Sequence, residues 1–86
     1  MAWRVNFTAT ALKQLKKLER STAKRIYAEL EQVEKLDNPR ARGKALTGNQ
    51  RGYWRYRVGD YRVICLIEDA ELTILAVKIG HRSHIY

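Results

Sequence analysis

The chain opens on a short alternation: Trp3, Val5 and Phe7 are apolar while Arg4 and Asn6 are polar. A period of two is the mark of a strand with one buried face. Thr8 then stands where it can cap a helix, and Leu12, Leu15 and Leu18 carry that helix to about Leu18. Ser21 is a second N-cap candidate. Beyond it, Ala23, Ile26, Tyr27, Leu30 and Val33 fall at the i, i+3, i+4, i+7 spacing of an amphipathic helix. Asp37-Asn38-Pro39 ends that helix, because a residue before proline is pushed out of the α region. The two helices are expected to form an αα-hairpin whose apolar stripe covers a sheet, with the Glu, Lys and Arg remainder solvated.

From Arg40 to Gly52 the periodicity disappears, which predicts a loop with at most one helical turn. Strands follow near Tyr53–Val58, Tyr61–Ile67 and Leu72–Ile79, separated by Gly59-Asp60 and by Glu68-Asp69-Ala70-Glu71. Gly80 is read as the end of the last strand, and His81 to Tyr86 as a short polar tail. A strand, an αα-hairpin and then a three-stranded antiparallel meander predict an α+β fold with one mostly antiparallel sheet. The 86 residues suffice for a single domain, 1–86, with a modest core.

Glycine tolerates φ > 0, so Gly59-Asp60 suits a two-residue hairpin turn. That turn sets Val58 opposite Tyr61, Arg57 opposite Arg62, Tyr56 opposite Val63 and Arg55 opposite Ile64. Alternation then brings Arg55, Arg57 and Arg62 to one face, and Trp54, Tyr56, Val58, Tyr61, Val63 and Cys65 to the other. The aromatic and apolar face should meet the helices. The arginine face should be open near the turn, with the C-terminal tail a candidate to cover its apolar end at Ile64 and Leu66. Like charges directly opposite across strands are destabilising. A sheet that keeps them has an anion to bind there, and nucleic acid is the commonest large polyanion.

Charge agrees with this reading. Seventeen Lys and Arg against nine Asp and Glu leave a formal charge of +8. The excess is local: Arg40 to Arg62 holds seven basic residues and one acid, whereas Glu19 to Asp37 holds five acids and four bases. Such a field favours phosphate backbones or acidic partners. Guanidinium suits phosphate because its planar fork donates bidentate hydrogen bonds and stays charged. Lys44 and Arg51 are expected to reach the same patch from the loop. Tyr53 lies on the arginine face and is a base-stacking candidate, while Trp54 and Tyr56 are better read as core.

The tail adds His81, Arg82, Ser83, His84 and Tyr86. Histidine is the usual proton shuttle near neutral pH, and arginine serves only to hold charge. Other chemistries find little support. Cys65 is alone, inside an apolar strand, and reads as core. No His, Cys, Asp and Glu spacing suggests a metal site. Gly43 and Gly48 lack the context of a phosphate loop. Neither a metal nor a small-molecule cofactor is therefore expected. Residues 1–7 lack the apolar region of a signal peptide, and no apolar run approaches the roughly 20 residues of a membrane span. A cytoplasmic protein without a membrane partner is the expectation.

Lys44-Ala-Leu-Thr-Gly48, Tyr53-Trp-Arg-Tyr-Arg57, Gly59-Asp-Tyr-Arg-Val63 and Gly80-His-Arg82 with a closing Ile85-Tyr86 carry a family resemblance. In this order and spacing the chain resembles the RelE/ParE superfamily of toxin–antitoxin toxins, nearer the RelE branch, over essentially its whole length. The resemblance implies a compact microbial-RNase-like fold and ribosome-dependent cleavage of mRNA in the A site. It also implies metal-independent attack by the 2′-hydroxyl and neutralisation by a cognate antitoxin from the same operon. Carried over by position, the catalytic set is Arg57, Arg62, Arg82 and Tyr86. The RNA- and phosphate-binding set is Lys44, Arg51, Arg55, His81 and His84. Arginines stand at 55 and 57 where the RelE pattern has lysines, so proton transfer falls to other groups such as His81 or His84. The alternatives are a ParE-like inhibitor of DNA gyrase and a noncatalytic nucleic-acid-binding module.

Overall fold

The computed structural model describes residues 3–85. Strand β1 (Arg4–Phe7) leads into helices α1 (Ala9–Lys16) and α2 (Arg20–Glu34). Thr8 caps α1 as expected, its Oγ1 accepting from the Ala11 N–H at 3.1 Å. Ser21 is not a cap. Helix α2 starts at Arg20 with Glu19 in the capping position and no side-chain capping bond. Its burial of Ile26, Leu30 and Val33 carries the helix instead, since most helical stability in proteins comes from packing. Asn38 accepts from the Arg40 N–H at 2.9 Å and starts a 3-10 turn, Pro39–Ala41.

The remaining strands are β2 (Lys44–Ala45), β3 (Trp54–Val58), β4 (Tyr61–Glu68) and β5 (Thr73–His81). They form one mixed five-stranded sheet in the order β1-β5-β4-β3-β2. Strand β1 runs parallel to β5, and every other pair is antiparallel. The expected α+β architecture and its mostly antiparallel sheet are present. The segment from Arg40 to Gly52 is less loop-like than expected, because β2 pairs with β3 at its edge. Two residues are too few for a periodicity. Gly43 lets the chain approach: its φ is +82°, and a Cβ there would collide with the Arg55 carbonyl oxygen.

The core lies between the helices and one face of the sheet. Ala11, Leu15, Ile26, Leu30 and Val33 pack there with Tyr56, Val58, Val63, Cys65, Ile74, Ala76 and Ile79. The buried Tyr56 hydroxyl donates to the Pro39 carbonyl at 2.7 Å, tying the segment after α2 to the sheet. Burial pushes that phenol well above its ordinary range. The Cys65 thiol is pushed up to about 12 by burial, as befits a core residue.

Strand β5 carries a bulge at Val77, because its register steps from Lys78–Ile64 to Ala76–Cys65. Beyond Ala76, β1 no longer pairs with β5. Helix α1 supplies the missing partners: Gln14 Oε1 accepts from the Ile79 N–H at 2.7 Å, and Thr8 Oγ1 donates to the Val77 carbonyl at 3.4 Å. Gly80 does not end the strand, since Arg62 and Tyr61 continue to pair with Gly80 and His81. No helix among the described residues is long and apolar enough to cross a membrane.

Candidate nucleic-acid interface

The sheet face away from the helices carries two rows of side chains across neighbouring strands. Lys44, Arg55, Ile64 and Lys78 are register partners from β2 to β5, and Arg57, Arg62 and Gly80 form the next row. All four pairs expected across the Gly59-Asp60 turn occur, Arg57 opposite Arg62 among them. Lys78 was missed by the sequence reading. Counting one residue back from the core residue Ile79 would have found it, but the Val77 bulge breaks the alternation beyond.

The face is less open than expected. Arg57 is exposed and Arg55 half-buried, while Arg62 is only 9% exposed. The C-terminal tail folds back here. Ile85 is buried, and a Cβ on Gly80, the register partner of Arg62, would stand 3.2 Å from Ile85 Cδ1. Ile64 and Ile85 are thus both buried outside the main core. The tail, expected over the apolar end at Ile64 and Leu66, instead packs its Ile85 on Gly80, in the row that holds Arg62.

Arg62 is held in a fixed pose, with Nη1 donating to the Gly59 and Tyr61 carbonyls at 3.0 and 3.1 Å. The Nε atoms of Arg55 and Arg62 are buried and have no hydrogen-bond partner. Ion pairs among the described residues join Arg40 to Asp69 (2.9 Å), Arg42 to Glu29 (3.0 Å) and Arg82 to Asp60 (3.8 Å). None of them includes Lys44, Arg55, Arg57 or Arg62. A buried donor left unsatisfied costs about 1–3 kcal/mol, more on a charged group. This face therefore carries a standing penalty.

Arg82 joins the same end of the sheet. Its backbone N–H donates to the Asp60 carbonyl at 2.7 Å, stitching the tail to the β3–β4 turn. The Arg82 backbone is thus held at the turn that joins the strands of Arg57 and Arg62, with its guanidinium toward Asp60, and Lys44 and Arg55 lie one row away from that pair. Arg51 does not join them: it is exposed beside the 3-10 turn Gly48–Gln50, at the opposite end of β3 from the Gly59-Asp60 turn. Tyr86 lies outside the described residues.

His81 departs from the arginine face. It pairs with Tyr61, whose side chain is on the helix side, and stacks edge-on against that ring at 5.5 Å. Strand β5 runs past Gly80, so alternation sends His81 the other way. It does meet His84 through Ser83. Ser83 Oγ lies 2.8 Å from His81 Nδ1 and 2.9 Å from His84 Nδ1.

The Ser83 N–H also donates to His81 Nδ1 at 3.2 Å, so that nitrogen accepts. Ser83 Oγ therefore bridges the two rings, its donor and acceptor roles set by the tautomer of each histidine. Among the described residues, no group of three His, Cys, Asp or Glu is placed to hold a metal.

Mycobacterium tuberculosis toxin RelE is 33% identical over 88 residues, covering 98% of this chain and 86% of that protein. Toxin RelG of the same organism is 33% identical over 89 residues, covering 100% and 98%. Among solved structures, the toxin–antitoxin complex RelBE2 of M. tuberculosis matches at 30% identity and a TM-score of 0.73, over 96% of this chain and 94% of that one. The isolated Escherichia coli RelE toxin matches at 20% identity and 0.75, over 93% and 84%, a likeness of fold alone. The sequence profile described as the ParE toxin of type II toxin–antitoxin systems, parDE, matches residues 5–86. The chain belongs to the RelE/ParE family of type II toxins.

Proposed function

We propose that this toxin is a ribosome-dependent endoribonuclease that cuts mRNA in the A site and is held silent by a cognate antitoxin. The observation that carries the reading is the Arg57–Arg62 pair, set opposite each other without carboxylate partners and with Arg62 Nε buried and unsatisfied. That is a site short of an anion, and the phosphodiester of an RNA chain supplies one.

In the reaction the 2′-hydroxyl attacks the adjacent phosphorus. A 2′-O–P bond forms, the P–O5′ bond breaks, one proton leaves the nucleophile and another reaches the 5′ oxygen. The products are a 2′,3′-cyclic phosphate and a 5′-hydroxyl. Arg57 and Arg62 hold the non-bridging oxygens as their charge grows, a task for preorganised donors. Arg62 is preorganised by its bonds to Gly59 and Tyr61. Arg82 supports the phosphate from the tail. Arginine keeps its proton, so transfer falls to His84, the exposed histidine of the tail. Tyr86 is the further candidate of the tail. The antitoxin is expected to cover the basic face, in keeping with the RelB-bound state of related RelE toxins in solved complexes.

Mapping mRNA 5′ ends in a reconstituted translation reaction tests this. Cuts confined to A-site codons, leaving 5′-hydroxyl ends, are expected, and Arg82→Ala should slow them on the order of 10²–10³-fold. Intact mRNA on active ribosomes would refute the nuclease reading. The match to the ParE profile favours a second one, inhibition of DNA gyrase. A supercoiling assay with purified gyrase separates the two, because a nuclease of this kind leaves supercoiling unchanged.

A further inference from the structure

Beside the arginine rows lies a cavity of about 310 Å³ lined by Asn49, Gln50, Tyr53, Ile64, Val77 and Lys78. Its place in the sheet ties it to the interface. Ile64 and Lys78 belong to the row of Arg55, and Ile64 follows Arg62 by two residues on β4. Two residues along a strand span about 7 Å, the length of one extended nucleotide.

The composition of the lining is specific. Tyr53 offers an aromatic face, Ile64 and Val77 offer apolar walls, and Asn49 and Gln50 carry groups that both donate and accept. Lys78 is exposed and adds a cation, and no carboxylate lines the cavity. A flat π-system with a hydrogen-bonding edge and an attached phosphate asks for this set, and single-stranded RNA is read by such stacking and edge contacts. The pocket behind the β3–β4 turn differs: it is lined by Glu29 as well as Arg25 and Arg57 and holds no aromatic side chain.

We infer that this cavity is a nucleobase subsite, in which a base of the RNA next to the cleaved phosphate stacks on Tyr53. Its edge meets Asn49 and Gln50, and Lys78 holds its phosphate. The inference rests on the RNA-cleaving reading, yet it can be tested without cleavage.

The probe is an RNA trinucleotide made uncleavable by 2′-O-methyl groups, titrated into the full chain with methyl-labelled isoleucine and valine. Saturable NMR shifts at Ile64 and Val77 are expected, and an abasic middle nucleotide should bind about ten-fold more weakly. Tyr53→Ala should lower affinity for the full trinucleotide by a similar factor while leaving abasic binding unchanged. Tyr53→Phe should restore it, and Lys78→Ala should weaken both probes. Equal binding of the abasic and full trinucleotides, or indifference to Tyr53→Ala in a folded variant, overturns the subsite. Cleavage bears on the other question: a protein that binds the base but cuts nothing keeps the subsite and loses the nuclease. A protein that cuts RNA but ignores the base does the reverse.

Discussion

The two faces of this sheet are built from the same strands and by the same alternation, but they are finished differently. On the helix face, Val63, Cys65, Ile74 and Ala76 are fully buried, and the deep Tyr56 hydroxyl has its acceptor. On the other face Arg62 is nearly as inaccessible, yet its Nε has no partner, and Arg57 stands directly opposite it. The first face gains its stability from completion. The second is left incomplete in a particular way, short of negative charge, and folding stability elsewhere must offset it. Unsatisfied buried groups of this kind are rare in native proteins and call for an explanation by function.

If this division is right, the largest folding effects belong to the helix face. Ile74→Ala removes a fully buried side chain from the main core. It should destabilise by about 2–5 kcal/mol, read from the urea midpoint at an unchanged slope. Lys78→Ala, four residues along the same strand but on the open face, should stay within about 0.5 kcal/mol of wild type. Comparable losses at the two positions would erase the distinction between the faces.

Much of this division is legible in the sequence, because alternation around a Gly59-Asp60 turn is a local signal. The opposition of Arg57 to Arg62 follows from it, and the αα-hairpin follows from the equally local i, i+3, i+4 spacing of its apolar residues. What escapes the sequence is set by contacts distant along the chain. Ile85 folds back onto Gly80, the register partner of the buried Arg62, a meeting of residues with no shared local pattern. His81 turns to the helix face because β5 continues past Gly80 to pair with Tyr61. Lys78 is hidden by a bulge, and β2 is too short to have a period. The Ser83 bridge between the histidines depends on the tail curling on itself, with the His84 N–H donating to the His81 carbonyl at 2.9 Å.

A smaller effect sharpens the contrast in how polar groups are treated. Tyr56→Phe removes the hydroxyl that bonds to Pro39 and leaves that carbonyl without its donor. Losing a buried hydrogen bond while keeping its partner should cost about 1–3 kcal/mol. The ring still fills its space, so RNA cleavage measured below the melting transition should persist. A Tyr56→Phe variant as stable as wild type would mean that this bond gives the helix face no advantage.

The smallest effect concerns a cation that does have its partner. Arg40 makes a fork-to-fork pair with Asp69, with both bonds at 2.9 Å, on the exposed surface. The Arg40 guanidinium beside it holds the Asp69 carboxyl below the usual carboxylate range. A depressed folded-state value means that the contribution is present above the unfolded carboxylate value and is lost as pH falls through the folded one. Exposed pairs are weak and screened by salt, so Arg40→Ala should barely move the urea midpoint at neutral pH. It should also abolish the slight acid sensitivity that Asp69 confers. Its effect on RNA affinity is the sharper test. Arg40 is already neutralised, so its loss should change binding of a single-stranded RNA far less than Arg55→Ala, which removes a cation that makes no ion pair among the described residues. Equal losses from the two variants would mean that RNA responds to net charge alone, and that the unpaired arginines of the open face have no special standing.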